Sequence, residues 1–223
     1  MKVNQEFLTL VLLGQGTTHS HTPGAPAPAT LPHNKSPFEY LHTEEGFLHA
    51  KTYFSFIANN NDETDEYFNE NQFINFLRKL TDFNDHEILE IYDTFDVRLG
   101  EASGIRFEEY FCILSLLGSR DHGQLTKSLF LHGESMFNIL VNKLTGEVIY
   151  DKFRRLGFLL GIPETYILAR LWPFQLNAFS SFDRDSFMLH YFDILSHVEI
   201  YLKQNDTRDS DDGKTKGPRC AVS

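Results

Sequence analysis

The sequence predicts an all-α protein of about eight helices, arranged as four helix–loop–helix units that pair into two lobes. Three observations lead there. One short pattern recurs four times: an apolar residue followed five positions later by an aromatic residue that opens an amphipathic stretch, at Phe68 and Phe73, Ile105 and Tyr110, Val148 and Phe153, and Phe182 and Phe187. Successive copies start 37, 43 and 34 residues apart, which is the length of a helix, a loop and a second helix with its connector. No window shows the sustained alternation of a strand, so only short loop-to-loop strands are expected.

Composition bounds the function. A chain of 223 residues with 41% hydrophobic content can bury a sizeable core, and its 21 phenylalanines suit short helices that must seal against each other. The net charge of -11 lacks the basic face that phosphates need, so nucleic acid is excluded as a partner. Only Cys112 and Cys220 are present, which gives no disulfide framework and no paired-cysteine metal site and points to an intracellular, reducing compartment. The apolar run Phe7 to Leu13 follows Lys2 but is short for a signal peptide, has Glu6 before it and lacks a small-residue cleavage site; it is far too short to span a bilayer.

The elements follow in order. Residues 14–37 are rich in Gly, Pro, Ser, Thr and Ala without periodicity, so residues 1–42 are expected as a disordered tail in which His19, His21 and His33 are solvated. Glu44 and Glu45 open the first helix, with Phe47, Leu48, Tyr53, Phe54, Phe56 and Ile57 as its apolar side. Asn69 with Gln72, and Asn84 with Glu87, are capping-box pairs for the second and third helices. Ile88, Leu89, Ile91, Tyr92 and Phe95 continue the third at helical spacing. Pro163 after Gly161 starts the seventh helix and Pro173 restricts its end. The last helix is expected from about Arg184 to Lys203, with Phe187, Tyr191, Phe192, Leu195, Val198 and Leu202 inward. The resulting division is residues 43–120 for the first pair of units, 121–203 for the second, and 204–223 for a flexible tail.

Spacing of this kind belongs to the EF-hand superfamily, whose loops bind calcium through about six to eight oxygens from positions 1, 3, 5, 7 and 9 and a bidentate Glu at position 12. The first loop, Asn61 to Gln72, offers Asn61, Glu63, Asp65, the Tyr67 carbonyl and Asn69, but has Glu66 at the turn and an amide at its last position. The second keeps Asp96 and Glu109 as anchors with two extra residues between them, and Arg98 opposes a cation. The third, Val141 to Lys152, has an alkyl group at its first position and an ammonium at its last, and the fourth, Gln175 to Ser186, keeps few donors. Calcium is therefore expected to bind weakly or not at all, and only at the first two loops. The expected role is partner binding, with a Phe-rich groove that receives an amphipathic helix.

Residues 135–162 (SMFNILVNKLTGEVIYDKFRRLGFLLGI) and 90–117 (EIYDTFDVRLGEASGIRFEEYFCILSLL), with the Tyr53-Phe54 helix ahead and the Leu171 to Phe187 stretch behind, resemble the EF-hand subunit family that accompanies the sperm flagellar cation channel CatSper. The resemblance covers about residues 45–203 and lies in helix spacing more than in identity. It implies an intracellular, calcium-sensing subunit held by an ion-channel assembly in a flagellum or cilium. The insertion in the second loop, Lys152 and the poor donors of the fourth loop depart from that pattern and put calcium sensing in doubt. The alternative is a calcium-independent structural or scaffolding protein of the axoneme.

Catalysis is not expected. Gly133-Glu134-Ser135-Met136-Phe137 lacks the closing glycine of a nucleophile elbow, and neither Gly14-Gln15-Gly16 nor Gly100 to Gly104 meets a phosphate-binding fingerprint. Cys220-Ala221-Val222-Ser223 fits the prenylation pattern, with Lys214, Lys216 and Arg219 upstream and an opposing acidic run at Asp209, Asp211 and Asp212. A lipid on Cys220 would make membrane contact reversible; without one the segment is an inert tail.

Overall fold

The computed structural model describes residues 2–13, 31, 35–58, 66–96, 104–120, 123–162, 164–171 and 180–211. Among these the chain forms ten helices and one two-stranded sheet, an all-α architecture. The order is α1 (Gln5–Leu12), α2 (Pro37–Leu41), α3 (Glu44–Ala58), α4 (Glu70–Leu80), α5 (Asp85–Phe95), α6 (Phe107–Arg120), α7 (Leu125–Leu140), β1 (Val148–Ile149), α8 (Tyr150–Leu160), α9 (Glu164–Leu171), β2 (Ser181–Phe182) and α10 (Arg184–Asp211).

Several helices begin where side chains satisfy their free amides. The Asn69 side chain accepts from the Gln72 amide while Gln72 reaches back to the Asn69 amide, each at 2.9 Å. Asn84 and Glu87 do the same for α5, and Ser36 with Glu39 for α2, where Pro37 adds a preset first turn. The last turn of α8 is held from outside: the Arg120 guanidinium donates to the Leu160 carbonyl at 3.1 Å.

Two short antiparallel pairings cross between loops. Phe68 and Ile105 exchange both backbone hydrogen bonds, at 2.8 and 3.0 Å. In the second half β1 pairs with β2, Val148 opposite Phe182 and Ile149 opposite Ser181. These four pairing residues and the aromatic five positions after each are all at most 2% exposed. Rings knit each pairing into the core: Phe68 stacks on Phe54 at 4.6 Å and meets Phe76 and Tyr110, while Phe182 packs on Phe153 at 4.9 Å, which in turn meets Phe187.

The two halves share one continuous hydrophobic cluster. α6 lies along α7, and α5 and α6 both pack on α8. α7 and α10 run antiparallel, with Phe137 against Phe187, Phe130 against Phe192, and Thr126 bonded to Glu199 at 2.7 Å. Gly133 permits their close approach, since a Cβ there would lie 2.7 Å from the Met188 methyl.

The structure corrects several expectations. Residues 2–13 and 35–42, assigned to a disordered tail, carry α1 and α2, because Leu8, Val11 and Leu12 at helical spacing, and Phe38, Tyr40 and Leu41 after a capping box, bury completely. α10 extends to Asp211, so residues 204–211 are helical. Leu48 and Phe56 do not face inward on α3, and Phe47 sits at the edge with its ring against Phe107 and Phe111; Gly46, Ala50, Tyr53, Phe54 and Ala58 face inward, because small residues let α2 and α3 approach closely. On α10 Phe192 is likewise 41% exposed. Pro163 and Pro173 lie outside the described residues, and α9 begins at Glu164. No helix among the described residues is long and apolar enough to cross a membrane.

Candidate functional site

The candidate site is the set of loops joined by the two short pairings. Of the residues proposed as calcium donors, Asn61, Glu63 and Asp65 lie outside the described residues, as does the stretch from Val97 to Ser103, and so does the candidate lipidation site Cys220. Tyr67, Asn69, Asp96 and Glu109 are described, and each is engaged in the fold.

Asn69 spends its side-chain oxygen on the cap of α4. The Tyr67 ring lies where a Cβ on Gly104 would fall, 2.3 Å away, so that glycine lets the second loop close on the first. Gln72, the last residue of the first loop, uses both ends of its amide: Oε1 accepts from the Asn69 N–H at 2.9 Å, and Nε2 donates to the Ile57 carbonyl at 2.6 Å. The side chain thus bridges the entering and exiting helices directly.

In the second loop Asp96 closes α5, its own N–H bonded to the Tyr92 carbonyl at 2.7 Å. Glu109 lies in the first turn of α6, 5% exposed, and accepts from the Arg106 N–H at 3.0 Å. Burial pushes its carboxyl above the ordinary range, against the pull of the backbone amides of Glu109 and Arg106. A buried carboxylate with few partners favours either a proton or a cation.

The third loop is a compact turn. Gly146 adopts φ 73°, Asn142 pairs with Glu147, and the Asn142 side chain accepts from the Leu144 N–H. Glu147 accepts a short hydrogen bond from the Ser181 hydroxyl, which adds a side-chain link to the pairing of β1 with β2. Lys152, the last residue of this loop, is half-buried; burial and the neighbouring Arg155 lower its pKa while Asp96 attracts it. The adjacent Arg155 Nε stands 3.0 Å from Glu90 Oε2, with both side chains about three-quarters buried, and its other arm reaches Asp151 at 2.9 Å. Cationic side chains of α8 therefore face carboxylates of α5, and a protein-borne positive charge sits beside the anchor of the second loop.

In the fourth loop the described residues are Ser180 onwards: Ser180 accepts the Tyr150 N–H at 2.9 Å, and Asp183 accepts from the Ser186 N–H at 2.8 Å. Among the described residues no three His, Cys, Asp or Glu side chains converge as a metal-binding group.

Sequence reasoning missed a histidine pair. His42, at the end of α2, meets His132 of α7 with their Nε2 atoms 2.5 Å apart. His42 Nδ1 lies 2.7 Å from the Phe38 carbonyl and so carries the proton, which leaves Nε2 to accept from His132. Phe38 and Phe111 flank the rings. Burial lowers both pKa values, His132 to about 4, helped by His42. The two residues are 90 positions apart, and no local pattern in the sequence links them.

In comparison with known proteins, no family model matches the chain, and no curated protein or solved structure matches it either.

Proposed function

We propose that this chain is an EF-hand protein acting as a regulatory or adaptor subunit, which holds an amphipathic helix of a protein partner with little dependence on calcium. The observation that carries the reading is the pairing of Phe68 with Ile105 and of Val148 with Phe182, because these are the four positions whose spacing repeats along the chain. In a loop of the EF-hand type that residue pairs with its partner loop, and the donors flank it. Weak calcium dependence is supported by Gln72, whose amide is consumed within the fold, and by Lys152, an ammonium at a ligand position. A ligand shifts a conformational equilibrium only by its differential affinity for the two states, so poor loops leave partner binding largely unregulated by calcium. The resemblance to the CatSper-associated family makes a ciliary or sperm-flagellar channel assembly the proposed setting. Affinity capture from ciliated or germ-line tissue, with calcium and with chelator, tests this. The same partner in both conditions is expected; recovery only with calcium would make the chain a sensor, and recovery of nothing would remove the adaptor reading.

A second reading, a calcium-independent structural component of the axoneme, draws on the core shared by both halves and on the Arg155–Glu90 pair. Calorimetric titration with calcium separates it from a weak sensor: heat of binding that vanishes in Glu109→Gln supports the sensor.

A further inference from the structure

α1 is a short amphipathic helix seated in a groove made by α2, α3 and α4. It buries Leu8, Val11 and Leu12, at i, i+3 and i+4, and lays the Phe7 ring against Tyr53 and Phe76 at 6.4 and 6.3 Å. That is the anchor spacing by which a groove receives a helix from another protein.

The polar ends of the groove recognise main chain. At the far end His49 Nδ1 lies 2.9 Å from the Leu12 carbonyl, one of the oxygens that a helix leaves unpaired. At the near end Val3 bridges to Thr81, the Asn4 N–H donates to the Leu80 carbonyl at 2.7 Å, and the Asp82 N–H reaches the Lys2 carbonyl at 3.3 Å. The Lys2 N–H also donates to the Asp82 carboxylate at 2.6 Å. The Asn4 side chain adds one contact, donating to the Lys79 carbonyl at 3.2 Å, but the contacts to backbone atoms do not depend on which side chains the bound segment carries, so another segment with an extended lead-in followed by a helix of the same length and anchor spacing can use them.

We propose that α1 is an intramolecular stand-in for a partner helix: the groove of α2, α3 and α4 is the chain's interaction surface, and a two-turn or longer amphipathic helix of a partner protein displaces α1 from it. This rests on the helix-binding reading above and names the surface for it. An eight-residue helix is too short to persist alone in water, so undocked α1 unravels. A longer partner helix loses less order on docking and competes on that ground. The competition is not free, because the chain between Leu13 and Lys35 keeps α1 at an effective concentration on the order of millimolar.

The test uses the full chain with a protease site placed between residues 14 and 30 and a fluorescein-labelled peptide of residues 2–13, read by anisotropy. After cleavage the protein should take up the labelled peptide, whereas the intact chain should take it up roughly a hundredfold more weakly because tethered α1 competes. A peptide carrying Leu8→Asp should not bind. If the cleaved protein remains folded by circular dichroism but never exchanges the peptide, or if departure of α1 unfolds it, α1 is a fixed part of the core and the proposal is overturned. An uncleaved Val11→Asp chain gives a second route: it should lose no more helical signal than the eight residues of α1 carry and accept the wild-type peptide, and refusal or a larger loss overturns the proposal. The two readings fail separately. A cellular partner held equally by the wild-type and Val11→Asp chains sinks the groove and leaves the adaptor role, and peptide uptake without any cellular partner does the reverse.

Discussion

The side-chain amide of Gln72 donates to the carbonyl oxygen of Ile57 at 2.6 Å and so ties the start of α4 to the end of α3. A carboxylate at this position has no proton to give. Gln72→Glu should leave the Ile57 oxygen facing a second acceptor and lower stability by about 1–3 kcal/mol. Urea unfolding in the presence of chelator measures it; an unchanged midpoint would show that the tie carries no weight.

The pairing residues offer a second check. Ile105 and Val148 are fully buried, and Asp at either site places an unpaired carboxylate in an apolar contact. Each substitution should cost about 2–5 kcal/mol. Thermal melts followed by circular dichroism should show both variants unfolding at lower temperature, and unaltered melting would rule out a structural role for the pairing.

Glu109 carries an opposite expectation. Its pKa is raised by burial, so above its folded value the ionised group costs stability, and this cost sets in as pH rises from the unfolded value through the folded one. Glu109→Gln keeps an oxygen for the Arg106 N–H and removes the charge. At pH 7 it should match or exceed the wild type in melting temperature while losing any calcium response. A strongly destabilised variant would mean that the carboxylate has a partner that Gln cannot replace.

The His42–His132 pair predicts acid sensitivity. Both folded pKa values lie below the ordinary histidine value, with His132 at about 4, so the unfolded chain takes up protons first as pH falls. Stability is full above about pH 6.5 and declines toward pH 4, by on the order of 3 kcal/mol from His132, with His42 adding a loss of the same sign. The nearby Lys127, which stands 4.0 Å from Glu39, disfavours a second cation on His42. Melting His132→Gln at pH 7.5 and 5.0 should show a smaller drop than the wild type. An equal drop would place the sensitivity elsewhere.

Two glycines should differ sharply. A Cβ on Gly46 would lie 2.0 Å from the Tyr40 carbonyl oxygen, which is backbone, whereas one on Gly157 would meet only the tip of the Ile167 side chain. Gly46→Ala should therefore force α2 from α3 at a cost of about 2 kcal/mol or more, and Gly157→Ala should cost less. Chemical denaturation of the two variants side by side checks the order.

The helices were legible where the signal is local. Asn69, Gln72, Asn84 and Glu87 form their capping boxes within four residues of chain, and the aromatic residues at 73, 110, 153 and 187 are buried as their spacing implies. α1 is hard to read from sequence although Asn4 caps it and its apolar residues are periodic, because the polar stretch after it dominates the composition. The outward turn of Leu48 and Phe56 was hidden for another reason: which side of α3 faces inward is set by the approach of α2 at Gly46, a tertiary fact. The donors of the candidate site raised the same difficulty, since only neighbours distant in sequence show that Gln72 is spent on Ile57 and that Asp96 faces Lys152.

The ion pair between Glu90 and Arg155 has a consequence for how the chain is made. Translation adds about 5–20 residues per second, so α5 leaves the ribosome seconds before α8 exists. During that interval the carboxylates of Glu90 and Asp96 have no cationic helix opposite them, and the first half of the shared core has no second half to close it. The nascent chain is thus most exposed to chaperones and proteases midway through synthesis, and a ribosome pause between the codons for these two helices would lengthen that exposure.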